Sequence, residues 1–216
     1  MKTVAWLAAA CVALIFVLNG KPDFTNAVRP PRGIANPVLA LQMARNVGEV
    51  DAILSDAPSP DREAMRIKQY VDFVFIGCYV ALYIGLARML RGDSRQDRLP
   101  HLAAICGVAA AVFDVIENVG ILRVVDAPLA RTTQAMVDAI RIPSLIKWTL
   151  VWIATAIFGA LFLRAAGWLR RSIGAVNLVA AALGFIGLFD NAVLTWAGIP
   201  LLVGIAGLVA LPFRPK

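Results

Sequence analysis

Long apolar runs separated by short polar stretches dominate the pattern of this chain. Most of them approach the roughly 20 residues that a helix needs to cross a bilayer. The stretch from Ile173 to Phe213 is too long for one helix, so we expect a hairpin with its turn at Trp196–Pro200. The pattern predicts an all-α, polytopic transmembrane helical bundle in a single domain. Six spans are expected, with five as the alternative, at 3–19, 70–90, 101–124, 143–164, 172–194 and 199–213.

The polar segments between the spans carry helix signals of their own. Asn36 followed by proline is a typical helix start, and apolar residues then recur at helical spacing, which predicts an amphipathic surface helix over 36–54. We expect this helix to pack on its own bundle rather than to sense lipid or bind a partner. Ser59 and Pro60 repeat the start signal, so the second span is expected to begin outside the bilayer. A short surface helix is predicted over 128–141, before Pro143 opens the fourth span.

Composition supports the membrane class. Hydrophobic residues make up 60% of the chain and mean hydropathy is +0.75, whereas soluble domains are roughly 45–50% apolar. The net charge of +7 is spread between the apolar runs and forms no basic stripe, which argues against nucleic acid as a partner. The lipid bilayer is therefore the expected surrounding. All three cysteines lie within apolar runs and fit neither a disulfide framework nor a zinc site.

The charges of the short loops predict an orientation. With six spans, the basic segments 88–98 and 164–171 fall on one side, together with Lys2 and the 214–216 tail. The positive-inside rule makes that side cytoplasmic, with both termini inside, in a cell membrane of the bacterial inner-membrane type. Aromatic residues expected near the opposite interface are Tyr70, Trp148, Trp152 and Trp196.

Ionisable residues inside the apolar runs mark the candidate site. Asp114, Glu117 and Asn118 are three and four residues apart, so they share one helix face within a predicted span. The topology places further polar residues in the outer half of other spans. We expect these side chains to converge in an outward-facing pocket roofed by the 36–54 helix. The converging residues are Asp72, Tyr79, Asp114, Glu117, Asn118, Lys147, Asp190 and Asn191.

The charge balance of this pocket suggests chemistry. The four carboxylates against the one ammonium of Lys147 leave a formal charge of −3, and each intramembrane charge costs about 2.5–3.5 kcal/mol. A proton, water or a cation would relieve that cost. Carboxylate and amide oxygens suit Mg²⁺, Ca²⁺ or Mn²⁺, with Asp72, Asp114 and Glu117 as metal ligands. In the structural alternative, Lys147 only pairs with an acid and the network stabilises the bundle.

The order of these features resembles that of a broad group of small polytopic bacterial membrane proteins. The shared features are an amphipathic segment, here Leu39 to Leu54, the pair Asp72-Phe73 opening a span, an Asp-x-x-Glu-Asn motif, here Asp114 to Asn118, and Lys147 early in the next span. The resemblance covers 36–155 and leaves Asp190 outside. It implies the same site but no activity, since the group has no assigned function.

Three functional hypotheses remain open, and the sequence does not decide between enzyme and non-enzyme. In the first, the pocket binds or processes a lipid-like or amphiphilic ligand with help from a cation. Asp114, Glu117 and Lys147 would be the catalytic candidates, with the acids acting as metal ligands or as an acid–base pair. The second is a non-catalytic subunit or assembly partner of a membrane-protein complex. The third is a proton- or cation-coupled transporter.

Overall fold

The computed structural model describes residues 1–25, 33–91 and 98–211. Every regular element in these ranges is helical, which confirms the predicted all-α bundle. Arg95, Arg214 and Lys216, which contribute to the predicted orientation, lie outside the described residues. The helices are α1 (Lys2–Asn19), α2 (Pro37–Gln42), α3 (Val47–Leu54), α4 (Pro60–Leu90), α5 (Leu99–Asp126), α6 (Gln134–Arg164), α7 (Trp168–Gly187) and α8 (Asn191–Ala210).

Six of these helices, α1 and α4 to α8, are long and apolar enough to cross a membrane, so the chain is a multi-pass membrane protein. They pack as a ring. Each helix from α4 to α8 contacts the next, and α1 closes the ring against α4 and α8. Short connections make neighbouring helices antiparallel. The carboxyl ends of α1, α5 and α7 therefore lie with α2 and α3 on one side of the bundle, which we call the α2 side.

The single surface helix predicted over 36–54 is wrong, because the segment forms two short helices. The chain breaks after Gln42, and Asn46 starts α3 by accepting a hydrogen bond from the Glu49 N–H at 2.9 Å. An asparagine within the periodic pattern is a strong N-cap, and here it begins a new helix instead of continuing the old one. Both helices pack on the bundle as expected, with Leu41 and Val50 fully buried.

Helix α4 begins where the sequence signals place it. The Ser59 hydroxyl accepts the Arg62 N–H, and Pro60 occupies the first turn, where its missing N–H costs nothing. The helix then continues for 31 residues to Leu90. The start of the helix at Ser59 and Pro60 is therefore confirmed.

The prediction of a separate helix over 128–141 is also wrong. A single 3₁₀ turn, Leu129–Arg131, precedes α6, which starts at Gln134 and runs without a break to Arg164. Thr133 provides the cap by accepting the Met136 N–H at 3.4 Å. The fourth membrane helix thus begins nine residues earlier than Pro143 suggested.

Pro143 lies inside α6 because its neighbours tolerate it. Proline has no N–H, so the Ala139 carbonyl four residues earlier loses its helical partner. That carbonyl faces Gly120 on α5, where a Cβ would lie only 3.2 Å from its oxygen. The missing side chain of Gly120 therefore lets α5 approach the freed carbonyl, and the helix continues.

The turn predicted at Trp196–Pro200 is wrong as well, because the hairpin turns at 188–190. The Leu188 N–H bonds to the Gly184 carbonyl, and α8 starts at Asn191 with Pro200 in its interior. The earlier turn gives α8 20 residues, enough to span a bilayer, whereas the predicted turn would have left a shorter helix.

Candidate functional site

Three charged side chains from two adjacent helices meet inside the bundle. Asp114 and Glu117 are one turn apart on α5, and Lys147 faces them from α6. The Lys147 Nζ lies 2.9 Å from Asp114 Oδ1 and 2.7 Å from Glu117 Oε2. All three residues are at least 95% buried. The structure therefore brings together the three predicted catalytic candidates as a buried ion-pair cluster.

Neutral side chains donate further hydrogen bonds to this cluster, in which Glu117 Oε2 contacts Lys147 without a hydrogen bond. The Tyr79 hydroxyl donates to Asp114 Oδ2 at 3.0 Å, and Gln42 Nε2 donates to Glu117 Oε1 at 2.6 Å. Gln42 in turn accepts the Trp148 indole N–H at 3.2 Å. Because Gln42 ends α2, this chain of hydrogen bonds ties the roof of the bundle to the buried charges.

Asp72 and Asn118 form a second, smaller polar group. Asn118 Nδ2 donates to Asp72 Oδ2 at 2.6 Å. The Asn118 Oδ1 atom is buried and has no hydrogen-bond partner among the described residues. Asp72 is partly exposed to a cavity in the centre of the bundle. This carboxylate thus differs from Asp114 and Glu117, which are both paired with Lys147.

The central cavity has a volume of about 490 Å³ and a polar and an apolar end. The polar end lies toward the α2 side and includes Gln42, Lys68, Gln69, Asp72, Asp114 and Lys147. The apolar end lies deeper. It is lined by Leu82, Leu86, Phe158, Phe162, Ile205 and Leu208, with Thr155 and Asn177 as polar side chains close by. The two ends are separated by about 14 residues along α4, or about 20 Å of helix. The cavity is therefore elongated along the bundle axis.

The mouth of the cavity lies between α1, α2 and α8. Asn36 Nδ2 donates to Asn19 Oδ1 at 2.9 Å, and both residues line the cavity while remaining accessible. Gly198 and Ile199 of α8 also line it and are exposed. Lys68 fixes this end of α1 by donating to its terminal carbonyls. Among the described residues, these accessible side chains indicate an opening of the cavity on the α2 side, next to its polar end.

The structure does not bring Asp190 and Asn191 to the site. Asp190 is exposed in the α7–α8 turn, and Asn191 is the first residue of α8. Neither is among the residues that line the central cavity. Their placement follows from the early turn of the hairpin, which puts both at the end of the bundle instead of within a span.

The site is also built differently from the metal centre considered for Asp72, Asp114 and Glu117. The Lys147 ammonium occupies the place between the Asp114 and Glu117 carboxylates where a divalent cation would sit. Asp72 pairs with Asn118 instead. Among the described residues, no group of three His, Cys, Asp or Glu side chains could hold a metal ion. A fixed ammonium therefore neutralises the acids here.

Two residues of the site were missed in the sequence analysis, and each carried a signal. Gln42 is the one amide in an otherwise apolar helix, which indicates a buried hydrogen-bonding role. Lys68 lies four residues before Asp72, so it shares that helix face. It donates to the Leu18 and Gly20 carbonyls at 2.7 Å each, and so neutralises the carboxyl end of α1.

In comparisons with known proteins, no family model, no curated protein and no solved structure matched this chain. The geometry and chemistry of the cavity are therefore the basis for a function. Such a function has to use a buried ion pair, a carboxylate at the cavity wall that forms no ion pair with a described residue, and a long apolar end.

Proposed function

We propose that the central cavity binds a single-chain amphiphile. Its headgroup lies beside Asp72, Asp114 and Lys147, and its chain extends toward Phe158 and Phe162. The observation that carries this proposal is the change of the cavity wall from polar to apolar along one axis. A ligand with the same polarity gradient would match both ends.

The size of the cavity supports this ligand class. Ligand pockets in proteins have volumes of roughly 300–1,000 Å³ and are mostly apolar, with a few fixed polar groups. The present cavity falls in that range at about 490 Å³. Its length of about 20 Å is two-thirds of the roughly 30 Å hydrocarbon core, so one extended chain suits it better than a compact solute.

The cluster is suited to holding a headgroup in place. Asp114, Glu117 and Lys147 neutralise most of one another's charge, and Tyr79 and Gln42 fix their orientation. Preorganised polar groups bind without reordering on contact, which favours affinity. The cation of this proposal is the Lys147 ammonium, which holds Asp114 and Glu117 in place, rather than a metal ion.

The proposal includes an orientation in the cell. The basic segments 88–91 and 164–171 lie on the side opposite α2, and the positive-inside rule assigns that side to the cytoplasm. The mouth at Asn19 and Asn36 then opens on the outer face of a bacterial inner membrane. An amphiphile in the outer leaflet would reach the cavity with its headgroup at the level of the mouth.

Fluorescence quenching by a brominated chain tests the proposal. Three of the five tryptophans, Trp6, Trp168 and Trp196, are exposed, so replacing them with Phe leaves Trp148 and Trp152 on the cavity wall as reporters. A brominated long-chain alcohol is titrated into nanodiscs of unbrominated phospholipid. Occupation of the cavity predicts saturable quenching at low mole fraction, whereas contact from the bilayer alone predicts a linear rise.

A plugged cavity provides the matched control. Gly198 lines the cavity, and a Cβ built there meets no atom within 4 Å, so Gly198→Phe fills space without a clash at the backbone. Gly77 is equally open, lies on α4 and does not line the cavity, so Gly77→Phe is the paired variant. Saturable quenching is expected to persist in Gly77→Phe and to disappear in Gly198→Phe. Equal quenching in both variants would exclude the cavity as the binding site.

A further inference from the structure

Both lysines at the polar end of the cavity are already hydrogen-bonded within the protein. Lys147 bonds to two carboxylates, Lys68 bonds to two carbonyls, and Tyr79 bonds to Asp114. Gln42 both donates to Glu117 and accepts from Trp148. The cations at this end of the cavity are therefore already engaged, and an anionic headgroup would have to compete with the protein's own oxygens.

Asp72 differs from the other carboxylates of the site, because no described cation holds it. It lines the cavity, accepts one hydrogen bond from Asn118 on Oδ2, and forms no ion pair with a cation of the described chain. The adjacent Asn118 Oδ1 is fully buried and also has no donor among the described residues. Asp72 therefore presents an acceptor oxygen to the cavity with no cation beside it among the described residues, whereas Asn118 is not one of the residues that line the cavity.

The charge balance points the same way. Asp72, Asp114 and Glu117 against Lys147 leave a formal charge of −2 when all four groups are ionised. A buried carboxylate without a partner is costly, and a cation beside it lowers that cost. A cationic group at Asp72 would reduce the charge of this set to −1 and give Asp72 Oδ1 a donor.

We infer that the amphiphile bound in the central cavity carries a protonated amine in its headgroup, and that this amine pairs with Asp72. The inference rests on the proposed function and names the ligand class for the same cavity. The ammonium donates to Asp72 Oδ1, and its remaining hydrogens face the polar end of the cavity. The chain follows α4 and α6 toward Phe158 and Phe162.

A headgroup series in the two-tryptophan reporter background tests the inference. Brominated single-chain compounds with a primary amine, a hydroxyl or a sulfate are compared at equal mole fractions in nanodiscs of zwitterionic phospholipid at pH 7. We expect the amine to reach half-saturation at a mole fraction at least about tenfold lower than the alcohol, which corresponds to a weak buried charge pair. The sulfate should bind least.

Substitutions at Asp72 and Asp190 show whether the preference for the amine depends on Asp72. Asp72→Asn keeps the shape and the hydrogen bond from Asn118, and it should bring the amine to the level of the alcohol. Asp190→Asn removes one charge from the same side of the bundle, outside the cavity, and should keep the preference. Equal loss in both variants would mean a general surface-charge effect and would overturn the inference.

The outcomes separate the inference from the proposed function. Saturable quenching by all three headgroups at equal mole fractions overturns the amine class and leaves amphiphile binding intact. The absence of saturable quenching by any of them overturns amphiphile binding itself. The comparison of headgroups is made on the chain with Asp72 in place, so it remains decisive even when a variant fails to fold.

Discussion

The α5–α6 pair and the α7–α8 hairpin hold neighbouring membrane helices together by different means. Between α5 and α6, Lys147 reaches Asp114 and Glu117 across the interface at 2.7 to 2.9 Å. In the α7–α8 hairpin, a glycine allows close backbone approach, since a Cβ at Gly187 would lie 2.6 Å from Leu194 Cα. The α5–α6 interface thus combines an ion pair with a glycine contact at Gly120, whereas the glycine contact of the hairpin involves no charge.

The difference shows what fixes the relative position of two neighbouring helices inside a bilayer. Lipid chains are as apolar as leucine, so apolar burial alone does not select one helix partner over another. An ion pair between α5 and α6 is satisfied in one register only, because an unpaired charge is expensive there. A glycine contact brings two helix backbones close together and increases their van der Waals packing. It therefore sets the distance between the helices more than their register.

The largest expected effect is loss of the cation from the charged interface. Lys147→Met leaves Asp114 and Glu117 buried without a partner, and breaking a buried pair costs roughly 3–5 kcal/mol. We expect the free energy of unfolding to fall by about that amount. It is measured by denaturant titration of the purified protein in mixed micelles.

A neutral version of the same interface sharpens the result. The triple variant Lys147→Met, Asp114→Asn, Glu117→Gln keeps the volumes and removes every charge, so it should recover a large part of the lost stability. If Lys147→Met were as stable as the unmodified protein, Asp114 and Glu117 would already be neutral without the lysine. The ion-pair account of this interface would then fail.

A smaller loss is expected when the glycine contact of the hairpin is filled. At Gly187, the added methyl group of Gly187→Ala would meet the Leu194 backbone at 2.6–2.7 Å, and overpacking costs typically about 1–3 kcal/mol. Gly77→Ala has open space and should stabilise its helix by roughly 0.5–1 kcal/mol. The two variants therefore change the free energy of unfolding in opposite directions. A gain in both would mean that the hairpin is more loosely packed than its backbone spacing indicates.

The same contrast explains which parts of the fold the sequence could predict. The cap and proline signals predicted the start of α4 at Ser59, and the charged residues predicted that α5 and α6 meet. Each of these signals comes from particular residues. The α7–α8 turn was misplaced at Trp196–Pro200 because the run from Ile173 to Phe213 contains few polar residues to mark a turn. There, helix length decided the turn, and Pro200 was accommodated inside α8.

The site divides in a similar way. Asp72, Asp114, Glu117 and Lys147 could be predicted because an ionisable residue inside a span needs a partner. Asp190 was assigned to the same pocket because the predicted turn lay about eight residues beyond the observed one, which placed Asp190 within a span. Gln42, as the one amide of an apolar helix, indicates a buried hydrogen bond, but its partner Glu117 could not be predicted, because that contact depends on where α2 ends before α3 begins. The resemblance to the Asp-x-x-Glu-Asn group remains a prediction.

The smallest expected effect concerns the loops that join these helices outside the membrane. Asp56, between α3 and α4, accepts the N–H groups of Leu129 and Ala57 at 2.7 and 2.8 Å, and so links its loop to the α5–α6 connection. These backbone hydrogen bonds, that from Leu129 first, lower the pKa of the Asp56 carboxyl below its usual range. The α7–α8 turn relies instead on the backbone bond from Leu188 to Gly184.

A lowered pKa in the folded state means that the ionised Asp56 stabilises the fold at neutral pH. That contribution is complete above the unfolded-state pKa, near 3.9, and is lost as the pH falls through the lower folded-state value. Asp56→Asn keeps an acceptor oxygen and removes the charge, so it should lower the melting temperature slightly at pH 7 and not at all near pH 2. The effect is small because Asp56 is exposed to solvent. A difference between the two proteins that stays constant from pH 7 to pH 2 would assign the link to hydrogen bonding alone, and charge would then matter only at the buried α5–α6 interface.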